Sequence, residues 1–120
     1  MSQKILITGA NGFIGSHLAR QFASSGAEVH AASRSMAPHK SGYIHWWTLD
    51  LSDLEAVCGA LATIKPDVIF HLASHVQGAP DFAHVVPAFR SNLQSTVNLL
   101  VAATEVGCRR IILTGSLAEP

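Results

Sequence analysis

Five runs of apolar and β-branched residues are separated along the chain by stretches in which apolar positions are spaced differently. Each run is nearly continuous in its apolar character, as expected of strands that are covered on both faces. In the third run, the neighbours Trp46 and Trp47 are expected to point to opposite faces of the sheet. The predicted strands cover residues 4–8, 27–33, 43–49, 68–73 and 109–115.

The stretches between these runs predict helices. After the first strand, Ile14, Leu18 and Phe22 recur every four residues, which predicts a helix that begins at Phe13 and is closed by Gly26.

Two further helices are predicted after the third and fourth strands. Ser52 is followed three residues later by Glu55, and this capping box predicts that a helix begins there. A longer helix follows the fourth strand, ends at Gly107 and carries an apolar stripe. The stripe consists of Phe89, Leu93, Val97, Leu100, Val101 and Thr104.

Strands that alternate with helices predict right-handed βαβ crossovers and a parallel sheet. The predicted fold is one α/β domain over residues 1–120, a doubly wound parallel sheet (Rossmann) with five strands in the order 3-2-1-4-5. Ligands of such sheets bind outside the carboxyl ends of the strands. The connection after the third strand is the weakest part of this prediction, because Gly59 lies inside the second helix.

Composition excludes several classes of partner. Apolar residues make up 48% of the 120 residues and charged residues 13%, as in globular proteins. Eight basic and eight acidic residues leave no net charge and no basic cluster, so neither nucleic acid nor a membrane surface is expected. Apolar runs fall far short of the roughly 20 residues of a membrane helix. With no signal-peptide pattern, and with Cys58 and Cys108 interpreted as reduced, a cytoplasmic protein is predicted.

The seven histidines do not predict a metal site. His71 and His75 are four residues apart, but the first ends a strand and the second lies in a loop, so helical spacing does not apply. His17 is interpreted as a residue of the helix surface or of its packing. The loop at 74–84 lies at the carboxyl end of a strand, and a substrate pocket and an ordinary connection both remain open for it.

Three glycines, Gly9, Gly12 and Gly15, lie between the first strand and the first helix. In a dinucleotide-binding turn the first adopts the angles of the bend, the second lets a pyrophosphate approach, and the third allows close packing of the helix. The amides of the first helical turn then face the phosphates. Thr8 and Asn11 are suited to holding the turn through local hydrogen bonds. The alternative is that the glycines serve only the turn and its packing.

The segment TGANGFIG (8–15) resembles the TGxxGxxG signature of the extended short-chain dehydrogenases/reductases, the family of nucleotide-sugar epimerases and dehydratases. Four further segments resemble this family in the same order, so the resemblance covers the whole chain. Two departures are Ser74 in place of an Ala and Ser95 in place of a Gly. The segments are the Asp50-Leu51 pair, HLAS (71–74), SNLQSTVNLL (91–100) and ILTGS (112–116).

The resemblance implies the NAD(P)-binding part of an epimerase, dehydratase or reductase that acts on a nucleotide sugar by hydride transfer. Asp50 and Leu51 would border the adenine, and Ser116 takes the position of the catalytic Ser/Thr. The cofactor-binding residues implied by the turn, the second strand and the resemblance are Gly9, Asn11, Gly12, Phe13, Ile14, Gly15, Ser33, Arg34, Asp50, Leu51, Leu72, Ala73, Ser74, Asn92 and Thr114.

The end of the second strand favours NADP over NAD. An acidic residue there would bind the ribose 2′-hydroxyl of NAD, whereas an Arg would accommodate the 2′-phosphate of NADP. The sequence has Ser33 and Arg34 at this point and no carboxylate. The guanidinium can form a bidentate contact with phosphate. Alternatively, Arg34 is a solvated loop residue.

The resemblance also implies a catalytic Tyr followed by Lys four residues later. These 120 residues contain a single tyrosine, Tyr43, with Trp at position 47. The expected protein is therefore the N-terminal part of such an enzyme, which stops before the substrate lobe and is inactive alone. An exposed sheet edge is expected to favour a homo-oligomer. The alternative is a non-catalytic NADP-binding module that senses redox state or completes a partner's site.

Overall fold

The computed structural model of the chain describes residues 3–10, 12–34, 44–72 and 82–113. Within these ranges there are five strands and three helices. The elements are β1 (Lys4–Thr8), α1 (Phe13–Ser24), β2 (Glu28–Ser33), β3 (Ile44–Thr48), α2 (Leu54–Ile64), β4 (Val68–His71), α3 (Phe82–Val106) and β5 (Arg110–Leu113). A helix follows β1, β3 and β4, and each strand lies within its predicted run.

The strands form one parallel sheet in the order β3-β2-β1-β4-β5, which confirms the predicted fold class and strand order. Thr8, the last residue of the central strand β1, is paired with Ala32 of β2 on one side and with His71 of β4 on the other. The carboxyl ends of three strands therefore meet at one edge of the sheet. Doubly wound sheets bind their ligands at this edge.

An apolar core lies on each face of the sheet. Side chains alternate along β1, so that Leu6 belongs to the core under α2 and α3, while Ile5 and Ile7 belong to the core under α1. Trp47 packs against the first core and Trp46 against the second, as predicted. Full burial of a large aliphatic side chain contributes about 1.5–3 kcal/mol, so this two-sided coverage fixes the central strand most firmly.

The buried face of α1 differs by one position from the predicted stripe. Ile14 is 68% exposed, whereas Gly15 and Ala19 are buried and Leu18 and Phe22 pack against the core. The buried positions follow the i, i+3, i+4, i+7 pattern of a helix that packs by one face. Ile14 falls outside that pattern, in the first turn of the helix beside the glycine turn.

The second helix begins at a different cap from the one predicted. Asp53 is the N-cap of α2 and its carboxylate accepts a hydrogen bond from the Ala56 amide at 3.3 Å. Ser52 does not form the predicted capping box, because its amide and hydroxyl both donate to Asp50 Oδ1, at 3.0 and 2.7 Å. The helix continues through Gly59 without interruption.

The apolar stripe of α3 does not face the core. The small residues Ala102 and Ala103 are buried together with Asn98 and Leu99, because small side chains let the helix approach the sheet and α2. The side chain of Phe89 lies outside the described part of the chain. The remaining members of the stripe are exposed: Leu93, Val97, Leu100, Val101 and Thr104.

Candidate functional site

The glycine turn leads directly from β1 into α1. Gly9 has a φ of 66°, in the left-handed region that glycine adopts without strain. Its carbonyl accepts a hydrogen bond from the Gly12 amide at 3.1 Å, which closes the turn. The amide of Ala10 donates to the carbonyl of Ala32 at 3.3 Å, so the turn is also tied to the end of β2. Gly9 thus has the conformation predicted for the first glycine.

Gly15 allows α1 to approach the turn. A Cβ at this position would lie 2.9 Å from the Cα of Ala10 and would collide with the carbonyl of Gly9. The helix therefore packs on the turn that follows β1, which refines the predicted contact with the strand itself. Gly12 is exposed, and a Cβ there would meet the Gly9 carbonyl oxygen at 3.3 Å, a tight but smaller conflict.

The N-terminus of α1 has the properties of an anion site. Its N-cap is Gly12, which supplies no side-chain cap, and the first helical turn contains no acidic residue. The side chains of Phe13 and Ile14 are 89% and 68% exposed. The first amides of a helix have no partner within it and carry the positive end of the helix dipole, so this terminus can hold a phosphate.

Thr8 joins two strands and does not hold the turn locally as predicted. Its hydroxyl oxygen accepts a hydrogen bond from the amide of Leu72 at 3.1 Å and lies 2.8 Å from Nδ1 of His71. Thr8 is fully buried and His71 is 9% exposed, so both groups depend on these contacts. The sequence predicted a role at this edge for Leu72, but not this link to Thr8.

The imidazole of His71 continues the contact to α3. Its Nε2 lies 3.1 Å from the hydroxyl of Thr96, which in turn donates to the carbonyl of Asn92 at 2.9 Å. Burial lowers the pKa of His71 and so favours the neutral ring. Thr96 was not singled out from the sequence. The available signal was a hydroxyl residue within the segment that resembles the family's VNxxGTxNLL helix.

Polar groups also meet at the ends of β2 and β3. Ser33 is buried, and its carbonyl accepts a hydrogen bond from Leu49 at 2.9 Å, whereas Arg34 is exposed. The hydrogen bonds from Ser52 hold the pKa of Asp50 below its ordinary value, and the positive charge of Arg34 lowers it further. Arg34 and Asp50 therefore lie close enough to interact electrostatically.

Leu51 is fixed by α3. Its side chain is 6% exposed and belongs to the core, while its carbonyl accepts a hydrogen bond from Asn98 Nδ2 at 2.9 Å. Gln94 Nε2 donates to Asn98 Oδ1 at 3.2 Å. Asn98, 2% exposed, is a second residue that sequence reasoning missed. An amide flanked by Val97 and Leu99 on a helix was the sign that it has a buried partner.

The predicted site residues within the described ranges are brought to the carboxyl edge of the sheet. The ends of β1, β2, β3 and β4 contribute to this edge, and the main-chain carbonyl of Asn92 is linked to it through the Thr96 hydroxyl and His71. The other predicted site residues lie outside the described ranges: Asn11, Ala73, Ser74, Thr114 and Ser116.

Within residues 3–10, 12–34, 44–72 and 82–113, no three His, Cys, Asp or Glu side chains are grouped so that they could hold a metal ion. In that same part of the chain, no helix combines the length and the apolar character needed to cross a membrane. His17 is exposed on α1, and the thiols of Cys58 and Cys108 are free.

A parallel sheet in this order, with a glycine turn and a helix N-terminus at its carboxyl edge, defines a Rossmann-type domain. The sequence matches the NAD dependent epimerase/dehydratase family over residues 5–119, and the chain belongs to this family. The resemblance found in the sequence is therefore confirmed.

Named relatives are similar over nearly the whole chain. UDP-glucose 4-epimerase of Mycolicibacterium smegmatis is 32% identical, and the match covers 94% of this chain and 38% of the relative. Cinnamoyl-CoA reductase 1 of Oryza sativa subsp. japonica is 29% identical, with 95% and 34% covered. The structure of Thermus thermophilus UDP-glucose 4-epimerase in complex with NAD superposes with a TM-score of 0.80 at 28% identity, with 91% and 36% covered. The chain spans roughly a third of these proteins.

Proposed function

We propose that the chain is the NAD(P)-binding domain of an extended short-chain dehydrogenase/reductase. The observation that carries this proposal is the approach of α1 to the glycine turn. A Cβ at Gly15 would collide with Gly9 and Ala10, so the uncapped helix N-terminus lies directly behind bare main chain. Backbone amides and a positive helix end at such a turn fit a pyrophosphate.

The residues at the carboxyl edge fit the rest of a nicotinamide dinucleotide. Asp50 and the main chain of Leu51 would border the adenine, and Leu72 and Asn92 would flank the ribose and nicotinamide. When bound, the nicotinamide ring supplies hydride transfer. From outside the described ranges, Asn11, Ala73, Ser74 and Thr114 are proposed to contribute to binding, and Ser116 to hold the reacting oxygen of the substrate.

We propose a preference for NADP, which depends on Arg34. The guanidinium is exposed at the end of β2 and interacts with Asp50, so it is available at the edge where the adenosine ribose would lie. The Thermus thermophilus relative was solved with NAD, which makes NAD the competing cofactor. A guanidinium can form two parallel hydrogen bonds with a phosphate, which the single hydroxyl of a serine or threonine cannot do.

Calorimetric titration with NADP and NAD tests this preference. Arg34→Ala is expected to weaken NADP binding at least tenfold, a loss of about 1.4 kcal/mol, and to leave NAD binding nearly unchanged. The matched control is Arg109→Ala, because Arg109 is equally exposed but precedes β5, at the opposite end of the sheet. Equal losses for both cofactors in Arg34→Ala would contradict the assignment to the 2′-phosphate.

A nucleotide sugar is the proposed substrate class of the whole enzyme. Several relatives are named for such substrates, among them UDP-glucose 4-epimerase and UDP-glucuronic acid decarboxylase. Because the chain spans about a third of these proteins, we expect these 120 residues to bind dinucleotide without turnover. Activity assays with UDP-glucose test this expectation, and turnover by the chain alone would contradict it.

A homo-oligomer through the edge of the sheet is proposed as well. β5 is the outer strand beside β4, and its Ile112 and Leu113 are 36% and 49% exposed. Apolar edge strands tend to pair with a second chain. Light scattering is expected to give more than the mass of one chain, and Leu113→Lys is expected to return it to a monomer. A monomeric wild-type protein would contradict the proposal.

We propose a cytoplasmic location. The free thiols of Cys58 and Cys108 support it, because reducing compartments keep thiols unpaired. Fractionation of cells that express the protein tests this proposal.

A further inference from the structure

The contacts of His71 with Thr8 and Thr96 take one direction once the Thr96 hydroxyl donates to the main chain. The hydroxyl of Thr96 donates its single proton to the carbonyl of Asn92 at 2.9 Å. Its oxygen can therefore only accept from His71, whose Nε2 lies 3.1 Å away. The proton of the imidazole must then be on Nε2.

The other ring nitrogen follows from this assignment. In a neutral imidazole with a proton on Nε2, Nδ1 is an acceptor. The hydroxyl of Thr8 lies 2.8 Å from Nδ1 and donates its proton to it, while the Thr8 oxygen accepts from the amide of Leu72 at 3.1 Å. Each hydroxyl thus has one donor and one acceptor, and the chain of bonds runs from Leu72 to Asn92 without a conflict.

This chain connects two elements of the proposed cofactor site. Thr8 immediately precedes the glycine turn, and Thr96 lies one helical turn after Asn92 on α3. Thr8 and His71 are buried at the carboxyl edge, where an unpaired polar group costs about 1–3 kcal/mol. A change at Thr96 should therefore be transmitted to the end of β1.

We propose that His71, held as the neutral Nε2–H tautomer, is a positioning residue that fixes the glycine turn relative to the Asn92 segment of α3. The inference rests on the proposed function for its effect on dinucleotide binding, but the tautomer and the link to the turn are properties of the protein alone. Protonation of Nδ1, or a shift to the Nδ1–H tautomer, would leave the Thr8 proton without its acceptor.

Nitrogen-15 NMR of the imidazole tests the tautomer directly. At neutral pH, His71 is expected to show a protonated Nε2 and an unprotonated Nδ1. A protonated Nδ1 would overturn the proposal, whether or not the protein binds a dinucleotide.

Substitutions at Thr96 test the link to the turn. Thr96→Val keeps the shape of the side chain but removes the hydroxyl, and it is expected to shift the amide resonances of Gly9 and Gly15 and to weaken NADP binding five- to tenfold. Thr96→Ser keeps the hydroxyl and is expected to restore both. The matched control is Thr104→Val, because Thr104 lies on the same helix and makes the same backbone bond, to Leu100 at 2.8 Å, on its exposed face.

The two proposals fail in different ways. A wild-type protein that binds neither NADP nor NAD contradicts the proposed function, and the tautomer and the glycine amide shifts still decide the role of His71. Unchanged glycine resonances and unchanged affinity in a folded Thr96→Val protein would overturn the positioning role. If Thr96→Val shifted the glycine resonances and weakened NADP binding but Thr96→Ser restored neither, the positioning role would also be contradicted.

Discussion

The two halves of the carboxyl edge are built in different ways. On the β1–β4 side, Thr8 and His71 are buried and bonded to each other although they are 63 residues apart in the sequence. On the β2–β3 side, Arg34, Asp50 and Ser52 are exposed, and the Ser52 hydroxyl bonds to a carboxylate two residues away. Buried polar groups are costly to leave unpaired, whereas exposed ones can be satisfied by water. Substitutions on the first side should therefore affect fold and binding together, and those on the second side mainly binding.

This difference suits the two tasks of a dinucleotide site. The turn and the nicotinamide end must keep a fixed geometry, because hydride transfer depends on orientation. In the proposed site, the adenosine end would distinguish NADP from NAD through surface groups such as Arg34, which can change without disturbing a core. Two residues on the β2–β3 side are exceptions: Ser33 is buried, and the carbonyl of Leu51 is held by the buried Asn98.

The largest expected effect is that of Gly15→Ala, beside the glycine turn that follows β1. The added Cβ must displace the Gly9 carbonyl or the Cα of Ala10, which is backbone that cannot move without opening the turn. Overpacking of this kind costs about 1–3 kcal/mol of stability. Affinity for NADP is expected to fall more than tenfold, as measured by calorimetry, with a lower midpoint of urea unfolding.

Gly59→Ala is the matched control for this change. Gly59 also lies within a helix, but it is exposed and a Cβ there would meet nothing within 4 Å. This substitution is expected to stabilise the protein by about 0.5–1 kcal/mol and to leave binding unchanged. If Gly15→Ala bound NADP like the wild type, the close approach of helix and turn would not be what forms the site.

The next effect concerns the buried hydrogen bond on the β2–β3 side. Asn98→Ala removes the donor to the Leu51 carbonyl and is expected to destabilise the protein by about 1–3 kcal/mol, measured by urea unfolding. Affinity for NADP should fall less than in Gly15→Ala, because the glycine turn is untouched. Gln94→Ala removes only the exposed donor to Asn98 Oδ1 and keeps the bond to Leu51, so it should cost less stability than Asn98→Ala. Equal losses in the two variants would mean that Asn98 does not hold Leu51 in place.

Sequence reasoning predicted the fold because the signals that define it are local. The strand runs, the glycine turn and the helical patterns are visible within short windows, and 3-2-1-4-5 is the usual order of a doubly wound sheet that begins with such a turn. The cap of α2 was predicted at Ser52, but it is Asp53. Both residue types favour the N-cap, so the sequence alone does not decide between them. The hydroxyl of Ser52 instead donates to the Asp50 carboxylate.

The contacts that span the sheet could not be predicted in the same way. The partners of Thr8 depend on which strand lies beside β1 and in which register, and Thr96 acts through an imidazole 25 residues away. Which side of α3 is exposed could not be predicted from the sequence either. Its stripe has the helical spacing of a buried face, but Ala102 and Ala103 allow a closer approach than Leu100 and Val101 would.

The smallest expected effect concerns the exposed groups of the β2–β3 side and depends on pH. The hydrogen bonds from Ser52 lower the pKa of Asp50 in the folded protein, so its ionised form stabilises the fold above the ordinary carboxyl pKa, about 4, and this contribution is lost as the pH falls through the folded value. Because Asp50 is exposed, the change in stability of Ser52→Ala should stay within about 0.5 kcal/mol. NMR titration should instead show the pKa of Asp50 rising toward its ordinary value. Ser25→Ala removes a hydroxyl that donates to the Phe22 carbonyl at 2.7 Å, and it should leave the titration of Asp50 unchanged. An unchanged Asp50 pKa in Ser52→Ala would mean that the surface of this half is organised by Arg34 and not by its own turn.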